Sequence, residues 1–200
     1  MKVNILDYGV GNLYSLCCAL QKMNVIAKIT RSIPEVGDVD ALILPGVGGF
    51  ASAATRLTLQ MSQFHKLVEE GIPILGICLG LQLFFERSEE GEGKGLGLIE
   101  GRVTKLPSSV KVPQMGWNNL HIIRENDLTV GVEDNSWVYF AHSYCAKPSD
   151  GSLVVAETTY GEDITAIVSK NNLHGTQFHP EKSGKNGLTL MNNFLNLARR

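Results

Sequence analysis

Residues 72–82 read Ile72-Pro73-Ile74-Leu75-Gly76-Ile77-Cys78-Leu79-Gly80-Leu81-Gln82, and the fold turns on how they are read. The run 72–77 is apolar at every position, the pattern of a strand covered on both faces of a parallel sheet. At Cys78 the pattern breaks, and 79–87 has helical spacing. A sharp strand-to-helix turn carries its central side chain at the tip. Glycines on either side admit a backbone approach that a Cβ would obstruct. N–H groups and the dipole at a helix start favour thiolate over thiol, and the N–H of Leu79 is placed to help stabilise an oxyanion. An isolated cysteine is more often a small buried hydrophobe. The paired glycines and the strand-turn-helix setting make Cys78 a nucleophile instead.

Working outward, strands are expected at 3–6, 25–30 and 41–44, a helix at 13–23, and a helical region after Pro45-Gly46 up to residue 70. Apolar strands alternating with helices predict a parallel sheet with helices on both faces. The rhythm changes after the glycine-rich stretch 91–97. Strand candidates then follow one another at 101–106, 119–123, 137–144, 153–159, 164–169 and 173–178, read as antiparallel strands that extend the sheet. A closing helix at 185–198 has Leu188, Met191, Leu195 and Ala198 at helical spacing. No repeat or linker interrupts the chain. The expectation is one α/β domain over residues 1–200, with a mainly parallel central sheet flanked by helices and antiparallel strands added in the second half.

Composition narrows the class. The chain of 200 residues is 44% hydrophobic and 19% charged, ordinary for a globular protein. Eighteen basic and twenty acidic side chains leave a formal net charge of -2, which gives no footprint for nucleic acid or an anionic membrane. The cysteines at 17, 18, 78 and 145 form no C-x-x-C pair and no Cys/His cluster with zinc-ligand spacing. Neither metal nor organic cofactor is called for. Asp7 comes too early for a signal-peptide apolar segment, no apolar run reaches transmembrane length, and a reducing cytoplasm is the expected compartment.

The partner for Cys78 lies in Gln177-Phe178-His179-Pro180-Glu181-Lys182. His179 follows a strand directly, so its ring can be aimed at the ends of the parallel strands. An imidazole there can take the thiol proton and later protonate a departing amine. Glu181 can accept from the other ring nitrogen and fix its tautomer. Cys78, His179 and Glu181 thus form a triad with separate duties. His65 falls in a helical stretch, and His121 and His174 in strands without a neighbouring carboxylate. His142 is expected to be structural or to border the site, and Cys17, Cys18 and Cys145 to be buried hydrophobes. Gly9-Val10-Gly11 lacks the acidic residue that a dinucleotide site needs about twenty residues on. Gly46-Val47-Gly48-Gly49 has a better use: Val47 and Gly48 can present a backbone N–H as a second oxyanion donor beside Leu79.

Taken together, these residues resemble the class I glutamine amidotransferases. Residues 76–82 are similar to that family's nucleophile motif, and His179-Pro180-Glu181 to its base and orienter. Pro45-Gly46-Val47-Gly48-Gly49-Phe50, Asp7-Tyr8-Gly9-Val10-Gly11-Asn12, Gln114-Met115-Gly116-Trp117-Asn118 and Lys182-Ser183 resemble the histidine-pathway branch in particular. The resemblance implies that Cys78 attacks the side-chain amide of glutamine, that Gln82, Ser143 and Tyr144 hold it, and that water hydrolyses a glutamyl thioester. It further implies a (β/α)8-barrel cyclase partner that uses the ammonia to make imidazole glycerol phosphate and aminoimidazole carboxamide ribotide. Such a barrel needs about 250 residues of its own, so a heterodimer is expected. Asn12, Trp117, Asn118, Tyr139 and Lys182 would lie at its interface, and rotation of the Val47–Gly48 peptide would switch the oxyanion hole. Two rival readings are a glutaminase serving vitamin B6, purine or aminobenzoate synthesis, and a non-catalytic cysteine-bearing module.

Overall fold

Strand and helix alternate through the first half of the computed structural model, which describes residues 1–199. β1 (Val3–Leu6) leads through a glycine-containing loop to α1 (Leu13–Lys22), and β2 (Ala27–Thr30) and β3 (Ala41–Leu44) follow. After β3 come α2 (Phe50–Thr58), α3 (Met61–Glu69), β4 (Ile74–Ile77) and the single turn α4 (Leu79–Gln82). The second half contributes β5 (Arg87–Ser88), β6 (Gly101–Lys105), β7 (Gln114–Asn119), β8 (His121–Ile122), β9 (Trp137–His142) and β10 (Tyr144–Pro148). β11 (Val154–Thr159), β12 (Asp163–Lys170), β13 (Leu173–Thr176) and α5 (Gly184–Leu197) complete it.

Side chains on a strand point alternately to opposite faces, and β3 shows what each face meets. Ala41 and Ile43 pack in one cluster with Leu16 and Leu20 of α1 and Phe194 of α5. Leu42 and Leu44 pack in the other, with Phe50 and Leu57 of α2 and Phe64 of α3. All four strand residues are fully buried. Burying a side chain of this size contributes about 1.5–3 kcal/mol, so the apolar run of β3 is consistent only with a strand covered on both sides.

The main sheet has eight strands in the order β2-β1-β3-β4-β13-β12-β11-β8. β2, β1, β3, β4 and β13 run parallel, and β12, β11 and β8 extend the sheet antiparallel. The register matters for function. Leu44 of β3 pairs with Gly76 of β4, and Gly76 in turn with Gly175 of β13. Three adjacent parallel strands therefore end level, and the loops beginning at Pro45, Cys78 and Gln177 leave the same edge. Open α/β sheets hold their ligands at such carboxyl ends.

Several elements differ from expectation. The strand 173–178 is parallel, since β13 lies against β4. The segment 137–144 is two strands. β9 pairs with β7 and β10 with β6, and the chain changes sheets at Ser143, whose carbonyl accepts from Leu106 N–H at 3.0 Å. β7 over 114–119 replaces part of the strand expected at 119–123, and β5-β6-β10 and β7-β9 stand apart from the main sheet. The helix expected at 79–87 stops after Gln82. The carbonyls of Leu83, Phe84, Phe85 and Glu86 accept from N–H groups at 95–99, leaving none to continue the helix. No helix among the described residues is long and apolar enough to cross a membrane.

Candidate active site

Cys78 sits between β4 and α4 with φ 54 and ψ -104. A non-glycine residue in such a conformation costs about 1–3 kcal/mol and persists only where its surroundings impose it. The surroundings here are the two glycines. A Cβ on Gly80 would lie 1.7 Å from the carbonyl oxygen of Leu44, and one on Gly76 would lie 2.7 Å from the backbone of Gly80. Only glycine lets α4 press against β3 and β4 closely enough to turn Cys78 outward. The thiol faces the Ala141 carbonyl at 3.8 Å and accepts from Gln177 Nε2 at 3.7 Å. With α4 reduced to one turn, its dipole is small, and the support for a thiolate falls to His179.

His179 is held by its backbone on both sides. Its N–H donates to the Tyr139 carbonyl at 2.8 Å, and its own carbonyl accepts from Ser183 Oγ at 2.6 Å. Pro180 opens a 3-10 turn over Pro180–Lys182 that brings Glu181 back beneath the ring. Nδ1 and Glu181 Oε1 are 2.9 Å apart, with both side chains buried. Nε2 is buried near Cys78 and completes no hydrogen bond among the described residues. Burial works to lower the imidazole pKa, but Cys78 and Glu181 together outweigh it and carry the value up to about 9. At neutral pH the ring therefore keeps its second proton.

The loop after β3 closes the third side. Gly46 O accepts from the Leu79 N–H at 3.3 Å, so the expected oxyanion donor is engaged by the loop itself. The peptide whose carbonyl fills this position is Gly46–Val47, one bond earlier than the Val47–Gly48 peptide singled out from the sequence.

A model of the class-I glutamine amidotransferase family matches residues 4–197. The chain belongs to this family. It is 43% identical over 196 residues to imidazole glycerol phosphate synthase subunit HisH of Methanocaldococcus jannaschii, covering 98% of this chain and 99% of that one. To the HisH subunit of Methanothermobacter thermautotrophicus it is 46% identical over 198 residues, covering 98% and 99%. A chain in the structure of PurLQS from Thermotoga maritima shares the fold at a TM-score of 0.78 and 21% identity, over 98% of this chain and 97% of that one.

Beside Cys78, the amidotransferase has a cavity of about 150 Å³ lined by Val47, Gly48, Gln82, Glu90, Ser143 and Tyr144, among others. Larger hollows of about 590 and 680 Å³ lie elsewhere, and neither is lined by a cysteine or a histidine. Gln82 is buried, its Nε2 donating to Tyr144 O at 2.8 Å and to Gln177 Oε1 at 3.2 Å. Glu90, which the sequence reading missed, accepts from the Phe50 N–H at 2.7 Å. It stands in the charged run Glu86 to Glu92, where no motif distinguishes it. Gln177 was also missed as a link between Cys78 and Gln82; its place two residues before His179 was the available signal.

His142 borders the same cavity, and both ring nitrogens are engaged, one at 2.9 Å from Tyr144 O and the other at 2.9 Å from the Gln114 side-chain amide. Burial lowers its pKa to about 4, so it is a neutral tie between β9, β10 and β7. Of the residues expected at an interface, Trp117 is half exposed and meets Tyr139 edge-on with centroids 6.0 Å apart. Lys182 Nζ lies 5.8 Å from the centre of the same Tyr139 ring. Asn12 caps α1 by accepting from Ser15 N–H at 3.2 Å, and Asn118 donates to Thr159 O at 3.0 Å. The β7–β9 register places Met115 and Trp137 on the face of Trp117 and Tyr139, and both are exposed.

Proposed function

We propose that the chain hydrolyses L-glutamine to glutamate and ammonia through a glutamyl thioester on Cys78. The ammonia passes to a (β/α)8-barrel cyclase that makes imidazole glycerol phosphate and aminoimidazole carboxamide ribotide in histidine biosynthesis, in the cytoplasm. The observation that carries this reading is the convergence, at one sheet edge, of the strained Cys78 with the His179–Glu181 pair at 2.9 Å. The Cys78 thiolate adds to the side-chain carbonyl of glutamine. The tetrahedral adduct collapses with C–N cleavage, and His179 gives its proton to the departing nitrogen. Water then attacks the thioester, returns a proton to His179 and releases glutamate. In the cavity, Gln82, Ser143 and Tyr144 would hold the substrate, and the Glu90 carboxylate suits its α-ammonium group. The histidine-pathway customer is favoured over other syntheses by the HisH relatives at 43% and 46% identity.

The same reading explains why a partner is needed. The oxyanion of the adduct requires the Leu79 N–H, which Gly46 O occupies. Rotating the Gly46–Val47 peptide would withdraw that carbonyl and present the Val47 N–H, completing the hole. One such donor is worth roughly two to three orders of magnitude in rate. The exposed face of Trp117 and Tyr139, with Lys182 and Asn12 beside the triad, is the surface on which the cyclase would dock.

The test compares glutaminase rates for the subunit alone, with the cyclase, and with the cyclase plus its nucleotide ligand. We expect a rise of about a hundredfold or more across the three, with one synthase product per glutamate in the last. Equal rates in all three would reject the switch.

A further inference from the structure

Tyr8 lies two residues past the end of β1, buried, and its hydroxyl donates to the carbonyl of Pro45, the first residue of the loop that occupies the oxyanion donor. The next residue is held by shape. A Cβ on Gly46 would fall 2.5 Å from Tyr8 Oη and 2.8 Å from Leu79 Cβ, so the Gly46 backbone is wedged between the phenol and the elbow. Tyr8 itself is fixed from behind, where Arg56 Nη1 of α2 donates to the Tyr8 carbonyl at 2.8 Å. Burial, and after it the charge of Cys78, keep the phenol proton on far above its ordinary range. Tyr8 is therefore a permanent donor.

Rotation of a single peptide about the line between its flanking Cα atoms moves its own carbonyl and N–H and leaves the preceding peptide where it is. The bond from Tyr8 is to that preceding peptide, Pro45–Gly46. It can persist whether the Gly46 carbonyl points at Leu79 or away. A bond that held only the engaged form would end on the Gly46 carbonyl, and it does not. We infer that Tyr8 is a positioning residue for glutamine hydrolysis, fixing the pivot about which the Gly46–Val47 peptide turns and so setting where the Val47 N–H arrives. This rests on residues 45–48 being the oxyanion loop.

The test is Tyr8→Phe in the complete complex with cyclase and its nucleotide ligand. The change removes one hydroxyl and keeps the buried ring. The kcat for glutamine should fall about ten- to a hundredfold, as expected when a reacting group is misplaced by a fraction of an ångström to an ångström. KM should stay within about twofold, because Tyr8 is absent from the cavity lining. Synthesis from added ammonium salts should be unchanged, and so should the rate at which iodoacetamide alkylates Cys78, since the elbow and His179 are untouched. An unchanged kcat would overturn the inference. So would a glutaminase rate raised in the absence of partner, which would make the bond a latch on the engaged form. A parallel fall in alkylation would mean general damage to the site and would overturn it too. Should Tyr8→Phe not fold, Arg56→Leu loosens Tyr8 from an exposed position. It should reproduce the split between kcat and alkylation at smaller amplitude, and an unchanged kcat there would count against the pivot. These results stand apart from the parent reading, which fails only if glutamine turnover does not need Cys78.

Discussion

At the scale of single residues, the proposed mechanism turns on the proton of His179. Its pKa of about 9 is set by burial acting against Cys78 and Glu181. With the protonated ring as the proposed acid for the departing ammonia, kcat/KM for glutamine should fall as pH rises through about 9. In Glu181→Gln one of the raising influences is gone, so that limb should move to lower pH. The rate should drop by about 10⁴, less than the roughly 10⁶ expected for His179→Ala, because an orienting group costs less than the proton-transferring one. A pH–rate profile for the three proteins checks both, and an alkaline limb that ignored Glu181→Gln would remove Glu181 from its assigned role. The grouping of Cys78, His179 and Glu181 was legible in sequence because each stands in a short motif beside a strand end. Glu90 was not, because nothing local separates a cavity-lining carboxylate from its solvated neighbours.

At the scale of elements, the elbow depends on how closely α4 approaches β3. Gly80→Ala gains about 1 kcal/mol of helix propensity. The new Cβ, however, would sit 1.7 Å from the Leu44 carbonyl, a backbone atom that cannot step aside. Overpacking of this kind costs typically 1–3 kcal/mol and sometimes more, and with a backbone atom as the obstacle the upper end applies, so the clash should win by about 2 kcal/mol. At Gly151 an added Cβ would meet nothing within 4 Å, and alanine there should be tolerated within about 0.5 kcal/mol. Denaturant midpoints at unchanged slope check the pair, and equal stability of the two variants would refute the packing argument. The parallel strands β3 and β4 were legible because burial on both faces leaves an unbroken apolar run, whereas β13 was read as antiparallel because Leu173-His174-Gly175-Thr176 carries polar residues and follows a series of antiparallel strands. The sheet change at Ser143 was not legible, because β9 and β10 together read as one strand, and their partners β7 and β6 are chosen by tertiary packing. The end of α4 at Gln82 was hidden similarly, since the bonds that stop it come from residues 95–99.

At the scale of the whole molecule, the sheet order brings loops from β3, β4 and β13 together, although the residues concerned span 45 to 181. The meeting of the loops after β3 and β4 followed from the doubly covered parallel sheet, and His179 joins them because β13 runs parallel to β4, where an antiparallel strand was expected. The engagement of Leu79 by Gly46 did not follow, because glycine sequence marks a loop's freedom and says nothing of which orientation it takes. On the proposed reading, the molecule is a glutaminase whose triad stands assembled and whose oxyanion site is completed by its partner. The most direct test is synthesis by the complex containing Cys78→Ala, supplied in parallel with glutamine and with ammonium salts. Cys78→Ala should fold, bind the cyclase, release no glutamate and make no product from glutamine, while matching the unaltered complex on ammonium. Glutamate release by a folded Cys78→Ala protein at a rate near that of the unaltered complex would contradict the account.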